Sequence, residues 1–145
     1  ILPDQSLVVL KGFYRKAGTL PDKVTIPVGR KADTLFFLHA AAYFTGQYEF
    51  VLHYADGKSV RLPMNELNMQ DWGGQPIAEF PEEKITFTTV ALTVPSPMFG
   101  RGSLYRTEYT APADRAVVEL TSVEFISDGR SVPILAGITG VLKKK

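Results

Sequence analysis

Tyr48-Glu-Phe-Val-Leu-His-Tyr54, then Ala55-Asp56-Gly57, then Lys58-Ser-Val-Arg-Leu-Pro-Met64 is the stretch on which the fold turns. In the first run Tyr48, Phe50, Leu52 and Tyr54 fall on one face at the side-chain period of a strand; in the second, Val60, Leu62 and Met64 do the same. Asp56-Gly57 suits the two positive-φ positions of a type I′ turn. The segment is read as an antiparallel β-hairpin with one face buried.

Working outward, the neighbours have the same character. Leu7–Leu10 and Val24–Val28 are candidate strands, with Pro27 marking an edge or a bulge. Ile85–Val94 places Ile85 and Phe87 in one phase and Val90, Leu92 and Val94 in the other. Ala116–Ile126 slips likewise between Leu120 and Val123. A period of two absorbs an odd step only through a bulge or a bend, so both segments predict long strands that curve. Leu104–Tyr109 and Val132–Thr139 complete the set, Pro133 suggesting that the last strand starts at an edge. Leu35–Phe44 is apolar on both faces and reads as a central strand, although its alanines and a cap at Asp33 or Thr34 also suit a helix. The sum is an all-β, antiparallel two-sheet β-sandwich of about eight or nine strands in a single domain, 1–145. The first residue is Ile1, which reads as a chain processed or excised from a longer protein.

Composition excludes several classes. With 45% apolar and 21% charged residues and a net charge of +1, the chain has a globular balance and no basic face for nucleic acid. Lys143-Lys144-Lys145 is read as a solvated tail. There is no cysteine, hence no disulfide, thiolate metal site or cysteine nucleophile. The longest apolar run, Leu35–Phe44, is about half of what a membrane helix needs, so no membrane partner is expected.

Catalytic constellations are missing. His39 and His53 stand in no metal-ligand spacing, and His39, inside the most apolar run, reads as a satisfied core histidine. Gly102-Ser103 lacks the second glycine of a nucleophile elbow, and Gly100-Arg101-Gly102 is too short for a phosphate loop. Glu82-Glu83 on an extended chain point apart. A structural calcium ion would suit a sandwich, but no D-x-D-x-D-G loop is present; no other cofactor is expected.

One segment resembles a ligand surface. A sugar site needs an aromatic platform for the C–H faces and planar polar groups for the hydroxyls. Trp72, the single tryptophan, with Asn68, Gln70 and Asp71, supplies both. The competing reading makes Trp72 a core residue closing one end of the sandwich. Arg101, between two glycines, is either a solubilising loop tip or a hydroxyl clamp. Tyr43, at the end of its strand, either extends the platform or plugs the core.

Taken in order, Ile26-Pro-Val-Gly-Arg-Lys-Ala-Asp-Thr-Leu-Phe-Phe-Leu-His-Ala40, Tyr54-Ala-Asp-Gly-Lys58, Asp71-Trp72, Leu104-Tyr105 with Tyr109–Pro112, and Val132-Pro-Ile-Leu-Ala-Gly-Ile-Thr139 resemble the galactose-binding-like β-sandwich domains of bacterial glycoside hydrolases and related polysaccharide-degrading proteins. The resemblance covers about Val24 to Thr139. It implies a jelly roll, a secreted or periplasmic setting and a role beside a catalytic module. A non-catalytic carbohydrate-binding module acting on an oligosaccharide or polysaccharide is therefore expected. A structural domain packed on a catalytic neighbour is the alternative, and a standalone enzyme ranks last.

Overall fold

In a computed structural model of the chain, the described residues are 7–12, 19–42, 47–65, 72–73, 86–98 and 100–142, with 86 and 87 described in main chain only. Their elements are β1 (Val8–Val9), β2 (Lys23–Arg30), β3 (Thr34–Ala42), β4 (Tyr48–Tyr54), β5 (Ser59–Met64), β6 (Thr86–Ser96), β7 (Gly100–Thr110), α1 (Ala113–Ala116), β8 (Leu120–Ser127) and β9 (Val132–Val141). All pairings are antiparallel. One sheet has the order β1-β9-β3-β7-β6 and the other β2-β8-β4-β5. Without β6, these are the two interleaved sheets of a jelly roll. β6 doubles back on β7 and widens the first sheet.

The predicted alternation holds where it matters. Tyr48, Phe50, Leu52 and Tyr54 are all buried, as are Leu62 and Met64 across from them. From the opposite sheet come Leu35, Phe37, His39 and Ala41 of β3 and Tyr105, Thr107 and Tyr109 of β7. Phe37 stacks on Phe50 with ring centroids 4.4 Å apart, and Phe50 stacks on its β8 partner Phe125 at 5.0 Å. Stacked pairs of this kind add about 0.5–1.5 kcal/mol beyond the area they bury. This row of rings runs from one sheet into the other and forms the middle of the core.

Leu35–Phe44 is a strand over its described part, and a central one, flanked by β7 and β9. Its apolar residues on both faces need this: a helix would leave half of them in water. The slip between Leu120 and Val123 is a bulge at Thr121, where β4 passes from Ser122 opposite His53 to Leu120 opposite Tyr54. The slip in β6 lies later than the pattern suggested, at Ala91, because Thr88 and Val90 both turn toward the core. β2 is an edge strand, and its register breaks between Pro27 and Arg30, so Pro27 marks both features.

Three further expectations are corrected. The predicted strand Ala116–Ile126 starts only at Leu120, because Ala116 closes helix α1 and Val118 N bonds Arg115 O in the turn that follows. The β4–β5 connection is not a two-residue type I′ turn. Gly57 N donates to Tyr54 O and Tyr54 N to Lys58 O, so the loop is Ala55-Asp56-Gly57 with only Gly57 required in the left-handed region, at φ +81. Asp56 instead caps the turn by accepting from Lys58 N at 3.1 Å. Its carboxylate also takes two bonds from Arg115 Nη1 of α1, at 2.8 and 3.1 Å, and these hold its pKa below the usual range. Pro133 is not at an edge either, since β1 pairs beside it and Leu10 N donates to Pro133 O. Proline is tolerated there because its carbonyl is the only polar main-chain group it offers to β1.

Phe50→Ala is expected to cost about 3–5 kcal/mol in urea unfolding, since it opens a cavity between both sheets. Leu92→Ala, on an exposed strand face, should stay within about 0.5 kcal/mol of the parent.

Candidate functional site

β3 and β7 pair as far as His39 opposite Tyr105 and then part. Trp72 fills the gap with its main chain. Its N–H donates to Ala41 O at 2.9 Å and its carbonyl accepts from Ser103 N at 2.7 Å. The chain around the single tryptophan thus acts as one rung of the sheet.

Strand alternation then decides where the indole lies. Ser103 and Tyr105 point inward and are buried, so Gly102 and Leu104 face outward. A Cβ on Gly102 would sit 3.6 Å from Trp72 Cε3, 3.8 Å from Cζ3 and 3.9 Å from Val94 Cγ2. The indole therefore rests on the outer face of β7, half-buried, and packs over a residue with no side chain. Val94 pairs with Gly102 and Leu92 with Leu104. Trp72, Val94, Leu92 and Leu104 form an apolar strip on the outer face of the five-stranded sheet. Leu92 and Val94 are 51% and 47% exposed, and Met98, at the β6–β7 tip, is 79% exposed. Further along this face Leu38 pairs with Arg106, whose Cζ lies 5.4 Å from the Phe36 ring centroid.

Of the residues singled out from sequence, Trp72 is on this strip. Arg101 shares its phase with Ser103 and lies on the opposite side of β7 from the indole. Asn68, Asp71 and Tyr43 lie outside the described residues. Sequence reasoning missed Leu92, Val94 and Leu104 as surface residues: their alternation reads as a core face, and only the strand order shows that this face is turned outward.

The other outer face is polar. His53 Nε2 stands 3.1 Å from Glu124 Oε2, and Lys23 Nζ stands 3.3 Å from Glu124 Oε1. These bonds, that from His53 foremost, keep the Glu124 carboxyl below its ordinary pKa. Arg61 grips Glu49 through Nε at 2.9 Å and through Nη2. A shallow hollow of about 240 Å³ opens beside this pair, bounded by Gln47, Pro63, Ile126 and Asp128. Among the described residues no three His, Asp or Glu side chains are grouped to hold a metal ion.

His39 is the core histidine the apolar run implied. Nδ1 meets Tyr48 Oη at 2.5 Å and Nε2 meets Thr107 Oγ1 at 2.7 Å. Thr107 Oγ1 also meets Thr88 Oγ1 at 2.7 Å and donates to Met64 Sδ at 3.6 Å. Both ring nitrogens of His39 are thereby satisfied by hydroxyl groups. Burial lowers the His39 pKa to about 3. The ring is a neutral structural link without access to a substrate.

No protein-family model, curated protein or solved structure matches the chain.

Two outcomes are expected. His39 resists protonation in the folded state while the unfolded chain takes a proton below the ordinary value of 6.5. Its stabilising contribution is thus complete above pH 6.5 and is lost as pH falls toward 3, with a slope of about 1.4 kcal/mol per pH unit. Unfolding free energies from urea titrations at several pH values should fall more steeply with acid in the parent than in His39→Gln, where paired carboxylates such as Asp56 and Glu124 remain to titrate. In Gly102→Leu the new side chain should lift the indole off β7 and red-shift the tryptophan emission, with the far-ultraviolet circular dichroism unchanged.

Proposed function

We propose that this chain is a non-catalytic β-sandwich accessory domain that docks on a neighbouring domain through the outer face of its five-stranded sheet. The observation that carries this reading is the exposed strip of Leu92 and Val94 beside the half-buried Trp72, continued by Met98 at the hairpin tip. Contiguous exposed apolar surface on a folded domain marks an interaction site, and the surface here is aliphatic where a sugar platform would be ringed by amides and carboxylates. The resemblance to domains of polysaccharide-degrading proteins supports a catalytic module as that neighbour. It also supports a secreted or periplasmic setting.

A second reading is favoured by the indole itself. Its main chain is held on both sides by the sheet, so its ring is a fixed and partly open surface against which one face of a sugar could stack, and Trp72 would then mark a carbohydrate-binding module. The first reading accounts for more of the exposed residues.

One NMR experiment separates the two. The labelled domain is titrated with a glycoside hydrolase module joined to such a domain in a parent protein, supplied in trans, and separately with a panel of soluble oligosaccharides. Shifts at Leu92, Val94 and Leu104 with the module, abolished in Val94→Asp, are the expected result. Saturable shifts around Trp72 with one sugar and none with the module would replace docking by carbohydrate binding.

A further inference from the structure

A second surface lies at the opposite edge of the five-stranded sheet from β6, independent of the strip around Trp72. Among the described residues, β1 pairs with β9 at Ile134 and Leu135, and Leu10 beyond it bonds Pro133. Past Leu135 β9 continues to Val141 with β3 on one side. The phase of its polar groups follows from three observations. Leu10 N donates to Pro133 O, so Pro133 faces β1; Ala136 is an extra residue opposite β3; and Val141 O accepts from Asp33 N, on the β3 side. Counting back by twos from Val141, Thr139 and Gly137 also face β3. The N–H and C=O groups of Ile138 and Gly140 therefore point to the open side, spaced as one strand repeat.

Below that edge the sandwich is not closed. An apolar hollow of about 340 Å³ lies between β2 and β9, floored by Val28, Leu35 and Leu142. It continues into a second of about 210 Å³, bordered by Val8 and Leu135, and Ile26 and Ile138 line both. Arg30 and Lys31 flank the larger hollow, whose lining includes no acidic side chain. Both are exposed. A strand edge left uncovered by the described residues, an apolar trough beneath it and two cations at one end describe one kind of occupant.

We propose that this cleft takes an extended peptide strand from another polypeptide, apolar at alternate positions and bearing a carboxylate at the end that meets Arg30 and Lys31. The strand would continue the place that β1 occupies, pair with Ile138 and Gly140, and set every second side chain between Ile26 and Ile138. Main-chain pairing supplies the affinity of such strand addition, and the pockets beneath supply its selectivity. An acyl chain would fill the trough but leave the polar groups of the edge unanswered.

The test is fluorescence anisotropy with a labelled peptide that alternates valine and threonine and ends in two aspartates. Saturable binding to the chain is expected. Arg30→Ala with Lys31→Ala should weaken it about fivefold and remove most of its salt dependence. Ile138→Lys should abolish it. N-methylation of the peptide at alternate residues blocks pairing without touching the protein, so it should abolish binding whatever any variant does to folding. Equal binding of the methylated peptide, or binding of dodecanoate in place of the peptide, would overturn the proposal. So would peptide binding that emerges only after removal of residues 1–6, which would assign the edge to the chain's own leading segment.

Discussion

A hydrogen-bonded link through the middle of the core holds the two sheets in one alignment. His39 on β3 bonds Tyr48 on β4 through Nδ1 and Thr107 on β7 through Nε2, and Thr107 in turn meets Thr88 on β6 and Met64 on β5. Apolar packing between sheets tolerates sliding, because dispersion and burial have no direction. A buried polar chain does not: each group displaced from its partner loses about 1–3 kcal/mol. Among the described residues no buried side-chain nitrogen or oxygen lacks a partner, so the link is fully satisfied as it stands. Its neighbours depend on that setting, since Phe50 makes edge contacts to both Tyr48 and His39.

With the sheets set in this way, the molecule has two unlike outer faces. The four-stranded sheet presents paired charges, Glu124 with His53 and Lys23, and Glu49 with Arg61, which interact with water as readily as with one another. The five-stranded sheet presents Leu92, Val94 and the Trp72 indole. The asymmetry originates in β6, the strand added beyond the jelly-roll order. Past Ala91 its apolar residues lie outside the sandwich, where no opposing sheet covers them. The same sheet is incomplete at its far edge, where β1 starts at Val8 opposite Leu135 and, among the described residues, nothing pairs with β9 beyond Leu135 on that side.

Much of the fold was legible in the chain because strand periodicity is a local property. The alternation of Tyr48–Tyr54 and Val60–Met64 located the core face of β4 and β5, and the odd step after Leu120 located a bulge. The doubly apolar run beginning at Leu35 announced a central strand with His39 inside it. Errors arose where locality ends. The Asp56-Gly57 pair suits more than one turn, and the longer loop is selected by the bond from Tyr54 N to Lys58 O. Pro133 read as an edge residue because a sequence does not show that β1 arrives beside it. The candidate site was less legible still: Trp72 stood out by composition, but its partners Ala41, Gly102 and Ser103 are distant in the chain.

The sequence by itself determined that the chain is built of strands and, in β3, β4 and β5, which side chains share a face, since these follow from alternation, glycine and proline. Tertiary structure decided which face of β6 is inside at each position. Val90, Leu92 and Val94 are equally apolar, yet Val90 packs on the core and the other two meet solvent, because strand order and the bulge at Ala91 set what lies opposite each one. It also placed Arg101 and the Trp72 indole on opposite sides of β7. The alternation of β7 is written in its own residues, but the approach of Trp72 to one side of it depends on β3 and β7 parting after His39, which no single stretch of the chain encodes.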